Sequence, residues 1–386
     1  MTIKRHAEVV GGGFAGLASA CALAQRGWSV RLHERDTALR TTGAGIYIYE
    51  NGLRVLEALG AYDDAIRGAP RVIAREVRDE KNDLISLHQW RSGTRVYSIV
   101  RQQIINVLAE IAEKAGVQIV TGSEPISATP AGEIEFSDGG RLKAELVVCA
   151  DGVNSKLRDS LGISVRRKFL QDGAIRFLIN KTQEESVSDN ECTTIEYWSG
   201  ARRILYTPCS PTQIYVAFTM LDGDTRAAAV PIQKAVWNSS FPYLTSLIDR
   251  LGSDGRYDRF ELIKLDRWSM GRTAIVGDAA HALPPNIGQG GGTAMMNALS
   301  MAVYLDRHDD VAQALSHWER EERPITEHAQ WMSVLMGMPT TWPSPFRKMF
   351  YQFAARSKWM IRQRTKIVTH RPTGTQDAIK SRIMES

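Results

Sequence analysis

Around residue 278 the chain reads AIVGDAAHALPPNIGQGGGTAM, a short apolar run that ends in an acid and then loses its side chains. Asp278 stands where a buried strand stops, so its carboxylate can accept a hydrogen bond from a polyol hydroxyl. Gly290, Gly291 and Gly292 leave the backbone bare, and a flat ring can lie against it. The helix that they open points its N-terminus at that ring, where negative charge is stabilised. Pro284 and Pro285 argue for a rigid wall beside the ring rather than a flexible loop. His281 has general-base chemistry, but packing or capping the turn after Asp278 suits it better.

Two further segments have comparable chemistry. Gly11-x-Gly13-x-x-Gly16, with Ala15 inside it, follows a strand and opens a helix. Gly11 permits the tight turn, Gly13 lets the backbone approach a pyrophosphate, and Gly16 allows close helix–strand packing. A phosphate there meets free N–H groups and the positive end of the helix dipole. Glu34 ends the second strand, where an acid binds ribose hydroxyls. The placement points to a dinucleotide and leaves FAD and NAD undistinguished. In the middle of the chain, ADGVNSKLR places Asp151 directly after a buried strand. On its own that segment reads as an Asx-type turn capping a helix, with Ser155 and Arg158 merely polar.

The elements that must position these residues follow from the pattern. Residues 6–34 read strand, glycine turn, helix, strand, which is one βαβ unit. RQQIINVLAEIAEKAG is an amphipathic helix closed by Gly116. From about 166 to 265 the pattern becomes antiparallel, through IRFLIN, TTIEYW, RRILYTPC and QIYVAFTML. The predicted fold class is α/β: a Rossmann-like dinucleotide-binding domain (1–165 and 266–335), an inserted antiparallel β-sheet substrate domain (166–265), and C-terminal helices (336–386). At 386 residues the chain exceeds one comfortable core.

Composition narrows the partners. The net charge of +5 hides an asymmetry: ten Lys or Arg against two acids from Thr341 onward give +8, leaving −3 for the rest. A basic tail on a neutral to acidic body argues against nucleic-acid binding. No apolar run approaches the roughly 20 residues of a membrane span. Cys21, Cys149, Cys192 and Cys209 have no metal spacing and suit reduced thiols in a cytoplasmic protein. No metal site is expected. Phe346, Met349, Phe350 and Phe353 share one helical face, expected to pack on the body or on a second subunit, with the tail's cations solvated.

Together, GxGxxG near the start, DGxxSxxR in the middle and GDAAHxxPP-x3-QGxG late resemble the flavin-dependent aromatic hydroxylases, the para-hydroxybenzoate hydroxylase family. The resemblance covers about residues 6–335. It implies non-covalent FAD, NAD(P)H as co-substrate and O2, with oxygen from the reduced flavin attacking an electron-rich ring as an electrophile. By this resemblance Gly11, Gly13, Ala15, Gly16, Glu34, Arg35, Arg40, Gly45, Arg101, Asp151, Asp278 and Gly290–Gly292 bind the cofactor. Strings such as NGLRVLE and RILY resemble a branch acting on hydroxypyridine carboxylates, with hydroxylation and ring opening. Arg203, Tyr215 and Arg176 then line the substrate pocket and, with Pro285, are the candidate catalytic residues. Ile73 stands where that branch places a pocket tyrosine.

Arginine suits such a pocket because it grips a carboxylate with two parallel hydrogen bonds. Strand alternation sends only one of Arg202 and Arg203 inward; alternatively both are edge-strand surface charges. Tyr47, Tyr49 and Tyr215 read equally well as strand core or rim residues. The expected partner is a small aromatic or heteroaromatic acid, with self-association into a homo-oligomer compatible. Two rival readings stay open: simple hydroxylation of a phenolic acid without ring cleavage, and a non-catalytic FAD-binding redox protein.

Overall fold

The computed structural model describes residues 5–39, 44–90, 93–185 and 190–375. Arg40, expected at the cofactor, lies outside them. The predicted α/β class is the observed one. Its first layer is a six-stranded sheet in the order Ser269–Met270, Thr273–Ile275, Leu146–Cys149, His6–Val10, Ser29–Glu34, Gln118–Thr121. All pairings are parallel except the Ser269–Met270 edge. Leu146–Cys149 is buried at every position, as expected of a parallel strand covered on both faces. Helices Phe14–Ala24 and Gly290–Arg307 pack against each other over this sheet.

The second layer is a nine-stranded sheet, ordered Tyr257–Leu265, Val165–Asn180, Gln213–Leu221, Arg202–Pro208, Glu191–Ser199, Arg71–Arg78, Val96–Val100, Gly45–Tyr49, with Leu84–Gln89 beside Arg71–Arg78. It is antiparallel except where Glu191–Ser199 runs parallel to Arg71–Arg78. Four of its strands therefore come from residues 45–100, where the sequence suggests a strand at GIYIY and irregular strands from residue 71 to 100. Alternation gives the sheet two faces. Ile204, Val216 and Phe218 look toward a core built with Trp237 and Phe241; Arg203, Leu205, Tyr215, Ala217 and Thr219 look the other way, into a cavity.

Helix Val311–Gly337 closes the molecule and continues two residues past the boundary drawn at 335. Beyond it, Ser344–Arg356 packs on Leu84–Gln89, and Lys358–Val368 packs on Val311–Gly337. The tail is integral, but the apolar face does not pack on the body of this chain, which leaves it open to the second subunit that was its other expected partner. Phe346, Met349 and Phe353 are 61, 65 and 58 % exposed, while Arg347, Tyr351 and Ala354 are buried. Arg347 lies over the Trp198 ring at 4.8 Å, so its charge is covered by an aromatic face rather than solvated. No described helix is long and apolar enough to cross a membrane.

Glu50 locks the helix Glu50–Ala58 that carries Asn51 and Gly52 against the glycine-rich segment. Its carboxylate accepts from Arg95 Nε and Nη2 and from Arg54 Nε, each at 2.9 Å. Burial alone would raise its pKa, but these hydrogen bonds overcome burial and bring it to about 2 from 4.5. A depressed carboxylate stabilises the fold above its unfolded pKa, and that stability is lost as pH falls through the folded one. Glu50→Gln should therefore cost about 3 kcal/mol at neutral pH. The difference from wild type should shrink below the ordinary glutamate range and vanish toward pH 2. Denaturant titrations across that pH series check it; a pH-independent difference would contradict the ion-pair account.

Candidate active site

The cleft between the two sheets has a cofactor side built largely from backbone. Gly11 has φ +109°, and a Cβ there would lie 2.3 Å from the Ala150 carbonyl oxygen. A Cβ on Gly16 would lie 1.8 Å from the Gly11 carbonyl oxygen, so strand and helix meet with no room for a side chain. Gly13 caps helix Phe14–Ala24 without a side-chain hydrogen bond and faces open space. Glu34 accepts from the Gly12 N–H at 2.7 Å and the Asp36 N–H at 3.0 Å, and so shapes the glycine turn. Ala15 packs where Gly277 turns, since a Cβ on Gly277 would come within 2.6 Å of its methyl. Arg35 is exposed beside Asp36.

Across the cleft, Gly290 meets open space and Gly291 lies under Ile46 and Phe14. Gly292 packs near Asn51, and Gly45 against Tyr215. Asp278 is exposed and opens into the cleft. The protein around its carboxylate still raises its pKa by desolvation, and nearby Arg101 opposes the rise. Arg101 lies over the Phe14 ring at 5.1 Å, and its buried Nε has no protein partner. An unpartnered buried guanidinium nitrogen, two open glycines at helix N-termini and a carboxylate open to the cleft fit FAD. Gly11–Gly16 would hold the pyrophosphate, Glu34 the ribose, Asp278 the ribityl chain and Gly290–Gly292 the flat ring.

Opposite lies a cavity into which Arg203, Tyr215, Arg176 and Pro285 all converge. Arg203 is 7 % exposed. It reaches Glu196 at 3.5 Å and the Asn286 side-chain oxygen at 3.4 Å, both long. Glu196 is also paired with Arg75 and accepts from the Trp198 indole at 2.7 Å. Burial opposes its charge, but Arg75 and Arg203 hold its pKa below the usual carboxylate range. Arg176 bonds Asp258 at 3.0 Å. Arg202 turns to the other face and pairs with Asp224 at 2.8 Å, as alternation requires. The remaining lining is largely aromatic and aliphatic, with Tyr47, Tyr49, Trp90 and Phe260 prominent.

Several expectations change. Ile73 is 40 % exposed and does not line the cavity, where Val72 and Arg75 do. The register shifts between the pairs Val72–Cys192 and Ala74–Thr193, so a bulge at Ile73 places residues three apart on one face. His281 packs on Trp268 and bonds Asn297 at 2.9 Å. Burial pushes its pKa down to about 4, so it is a neutral packing residue. Asp151 accepts from Ser155, and Ser155 caps the helix by accepting from Arg158 N–H. Arg158, read as merely polar, is buried and donates to the carbonyls of Val153 and Ala279, each at 3.1 Å. It thereby ties the middle motif to the residue after Asp278. Glu196, Arg75 and Asn286 were not singled out in the sequence. Asn286 bonds the Ser333 carbonyl at 3.0 Å and needs Gly337 beside it, where a Cβ would lie 2.3 Å away.

This fold and cleft define an FAD-dependent monooxygenase, of the class A aromatic hydroxylases that use NAD(P)H and O2. The chain belongs to the family whose model, described as an FAD binding domain, matches residues 5–330. It is 44 % identical over 348 residues to a 2-heptyl-3-hydroxy-4(1H)-quinolone synthase of Mycobacteroides abscessus, covering 89 % of this chain and 92 % of that one. A putative enzyme of the same description from Rhodococcus erythropolis is 41 % identical over 374 residues, covering 96 % and 98 %. Among solved structures, the tetrameric form of 2-methyl-3-hydroxypyridine-5-carboxylic acid oxygenase superposes with TM-score 0.86 at 37 % identity, covering 96 % and 97 %.

Gly290 allows a clean test, because a side chain there meets no protein atom. Gly290→Val should keep the thermal midpoint of the flavin-free wild type while its FAD dissociation constant rises more than tenfold, a loss of over about 1.4 kcal/mol. Flavin fluorescence titration reads the affinity. Unchanged affinity would place the ring elsewhere.

Proposed function

We propose that this monooxygenase hydroxylates a 2-alkyl-4(1H)-quinolone at ring carbon 3. One oxygen atom of O2 becomes the C3 hydroxyl and the other leaves as water, with two electrons drawn from NAD(P)H. The identity to two quinolone synthases along nearly their whole length supports this substrate over a monocyclic acid. The observation that carries the reading is the chemistry of the ring slot. It is mainly aromatic and aliphatic, and of its three guanidiniums, Arg75, Arg176 and Arg203, the last is the one whose own hydrogen bonds are long. Glu196 is shared between Arg203 and Arg75, so donors remain for one oxygen of high negative charge density. The C4 oxygen of a quinolone, whose ring nitrogen pushes electrons toward it and toward C3, is such an oxygen.

FAD, when bound and reduced, supplies the activated oxygen atom; the cofactor carries that chemistry. The chain's residues orient the ring and keep the site dry. In this reading Arg203 donates to the C4 oxygen and Tyr215, two strand positions from Ala217 on the cavity face, directs the ring nitrogen. Pro285 and Gly288 form the wall of the slot, and Tyr47 and Trp90 cover it from water. Arg176, already paired with Asp258, contributes shape and a positive field rather than a free grip.

A second reading is a hydroxypyridine carboxylate, oxidised with or without ring opening. The shared glutamate favours it too, because two guanidiniums against one carboxylate leave a cation for an anionic substrate. Oxygen uptake and product mass on a panel of 4-quinolones, hydroxypyridine carboxylates and hydroxybenzoates separate the two. The expected result is substrate-dependent NAD(P)H oxidation with quinolones and a mass gain of one oxygen. Turnover of the acids alone would overturn it. Arg203→Ala should raise the substrate dissociation constant more than tenfold with FAD retained, as expected for loss of a buried charged hydrogen bond. Arg203→Lys should rescue only in part, because a point charge lacks the planar fork.

A further inference from the structure

A second cavity adjoins the ring slot. The two share Tyr49, Arg75, Trp90, Asn286 and Ile287 in their linings, so they meet along a common wall. Beyond that wall the lining changes origin. Met336 comes from the end of helix Val311–Gly337, and Ile361, Arg364, Thr365 and Val368 come from helix Lys358–Val368. The ring slot is thus built largely by the large sheet, and its extension by the C-terminal helices together with His88 of strand Leu84–Gln89. Met336 and Val368 are buried, so this extension is walled by packed side chains rather than by loose tail.

We infer that the second cavity is the subsite for the substituent on the ring carbon next to the ring nitrogen, and that Ile361 and Met336 set the chain length it accepts. The inference rests on the quinolone reading above. Its occupant is an unbranched alkyl chain. Ile287, Met336, Ile361 and Val368 offer it apolar contact, while the shared wall of Tyr49, Trp90 and Ile287 lets a chain leave the ring slot without crossing solvent. Methionine suits such a wall because its unbranched side chain adapts to chains of different length. Arg364 also lines this cavity. Burial and Arg75 draw its pKa down to about 10, which leaves it charged at neutral pH. A chain ending in a carboxylate would therefore be the competing occupant, and the test includes one.

Alkyl burial is favourable by about 0.8 kcal/mol per methylene, so KM should fall by up to about fourfold for each carbon until the cavity is filled. The experiment measures kcat/KM of the FAD-loaded enzyme for 4-quinolones bearing methyl, pentyl, heptyl and nonyl chains, and for one heptyl analogue ending in a carboxylate. Ile361→Trp should lower the heptyl-to-methyl ratio at least tenfold by filling the cavity. Met336→Ala should move the optimum toward longer chains. Each variant must retain its flavin colour, and the ratio between substrates cancels any general loss of active enzyme. If the series is oxidised but neither variant changes the ratio, the subsite is wrong and the quinolone reading stands. Preference for the carboxylate-ended chain would also overturn the alkyl assignment, in favour of Arg364. If no member is oxidised, the methyl compound included, the quinolone reading itself fails.

Discussion

One buried carboxylate holds the substrate half together. Glu196 sits on the central strand Glu191–Ser199 and is paired with Arg75 from one neighbouring strand and Arg203 from the other. It also accepts from the indole of Trp198, two residues along on the same face. The Trp198 ring in turn lies under two guanidiniums, Arg203 at 5.0 Å and Arg347 at 4.8 Å, with Tyr351 tilted against it at 5.7 Å. Arg347 and Tyr351 belong to the C-terminal helix Ser344–Arg356, so the charge network that fixes the sheet also seats the tail. Removing one partner of such a buried pair typically costs about 3–5 kcal/mol, because the other charge stays behind unpaired. The network is therefore a constraint on strand register as much as a feature of the pocket.

The cofactor half is organised differently. It relies on backbone: glycines whose missing side chains let segments touch, and helix ends whose N–H groups remain free. Few charged side chains enter it; Asp278 and Arg101 face the cleft, and others serve to place backbone. Glu34 shapes the Gly12 turn, and Arg158 fastens the middle motif to Ala279 beside Asp278. A segment held by carbonyl-directed hydrogen bonds and close glycine contacts cannot shift by an ångström without breaking several at once. A flat cofactor that must present one atom to a substrate needs that rigidity.

Local patterns were legible in the sequence, and pairings between distant strands were not. The glycine turn, the helix behind it and the acid at Asp278 each depend on a few consecutive residues, and the parallel layer follows from them. Alternation separated Arg202 from Arg203 correctly, because a strand sends neighbours to opposite faces. Ile73 was misplaced because a bulge breaks that alternation, and a bulge is set by the partner strand. Glu196 drew no notice because nothing local shows that Arg75, 121 residues earlier, lies beside it. In the tail, the apolar stripe through Phe346 and Phe353 did not show which face packs on the body of the chain. Burying Arg347 is favourable only where Trp198 is already waiting, which no reading of the helix alone could reveal. Of the strands from residues 71–100, Arg71–Arg78 was obscured for the same reason: one of its partners, Glu191–Ser199, comes from after residue 190.

The two modes of construction also explain how charge and dryness coexist in the ring slot. An oxidation that places activated oxygen on a ring is wasted if water reaches the site, yet the ring must be held by polar groups. Isolated guanidiniums would draw water in, since a lone buried charge is too costly to leave unsolvated. Sharing Glu196 between Arg75 and Arg203 replaces that hydration with protein hydrogen bonds and leaves the donors of Arg203 only partly engaged. Asn286 completes the arrangement from the cofactor side, because its oxygen faces Arg203 while its nitrogen is fixed to Ser333. Under the proposed reading, a substrate oxygen would displace only long, weak contacts to gain strong ones. A ring lacking that oxygen would leave Arg203 as it is, so the residues proposed to keep the slot dry would also discriminate among the rings that enter it.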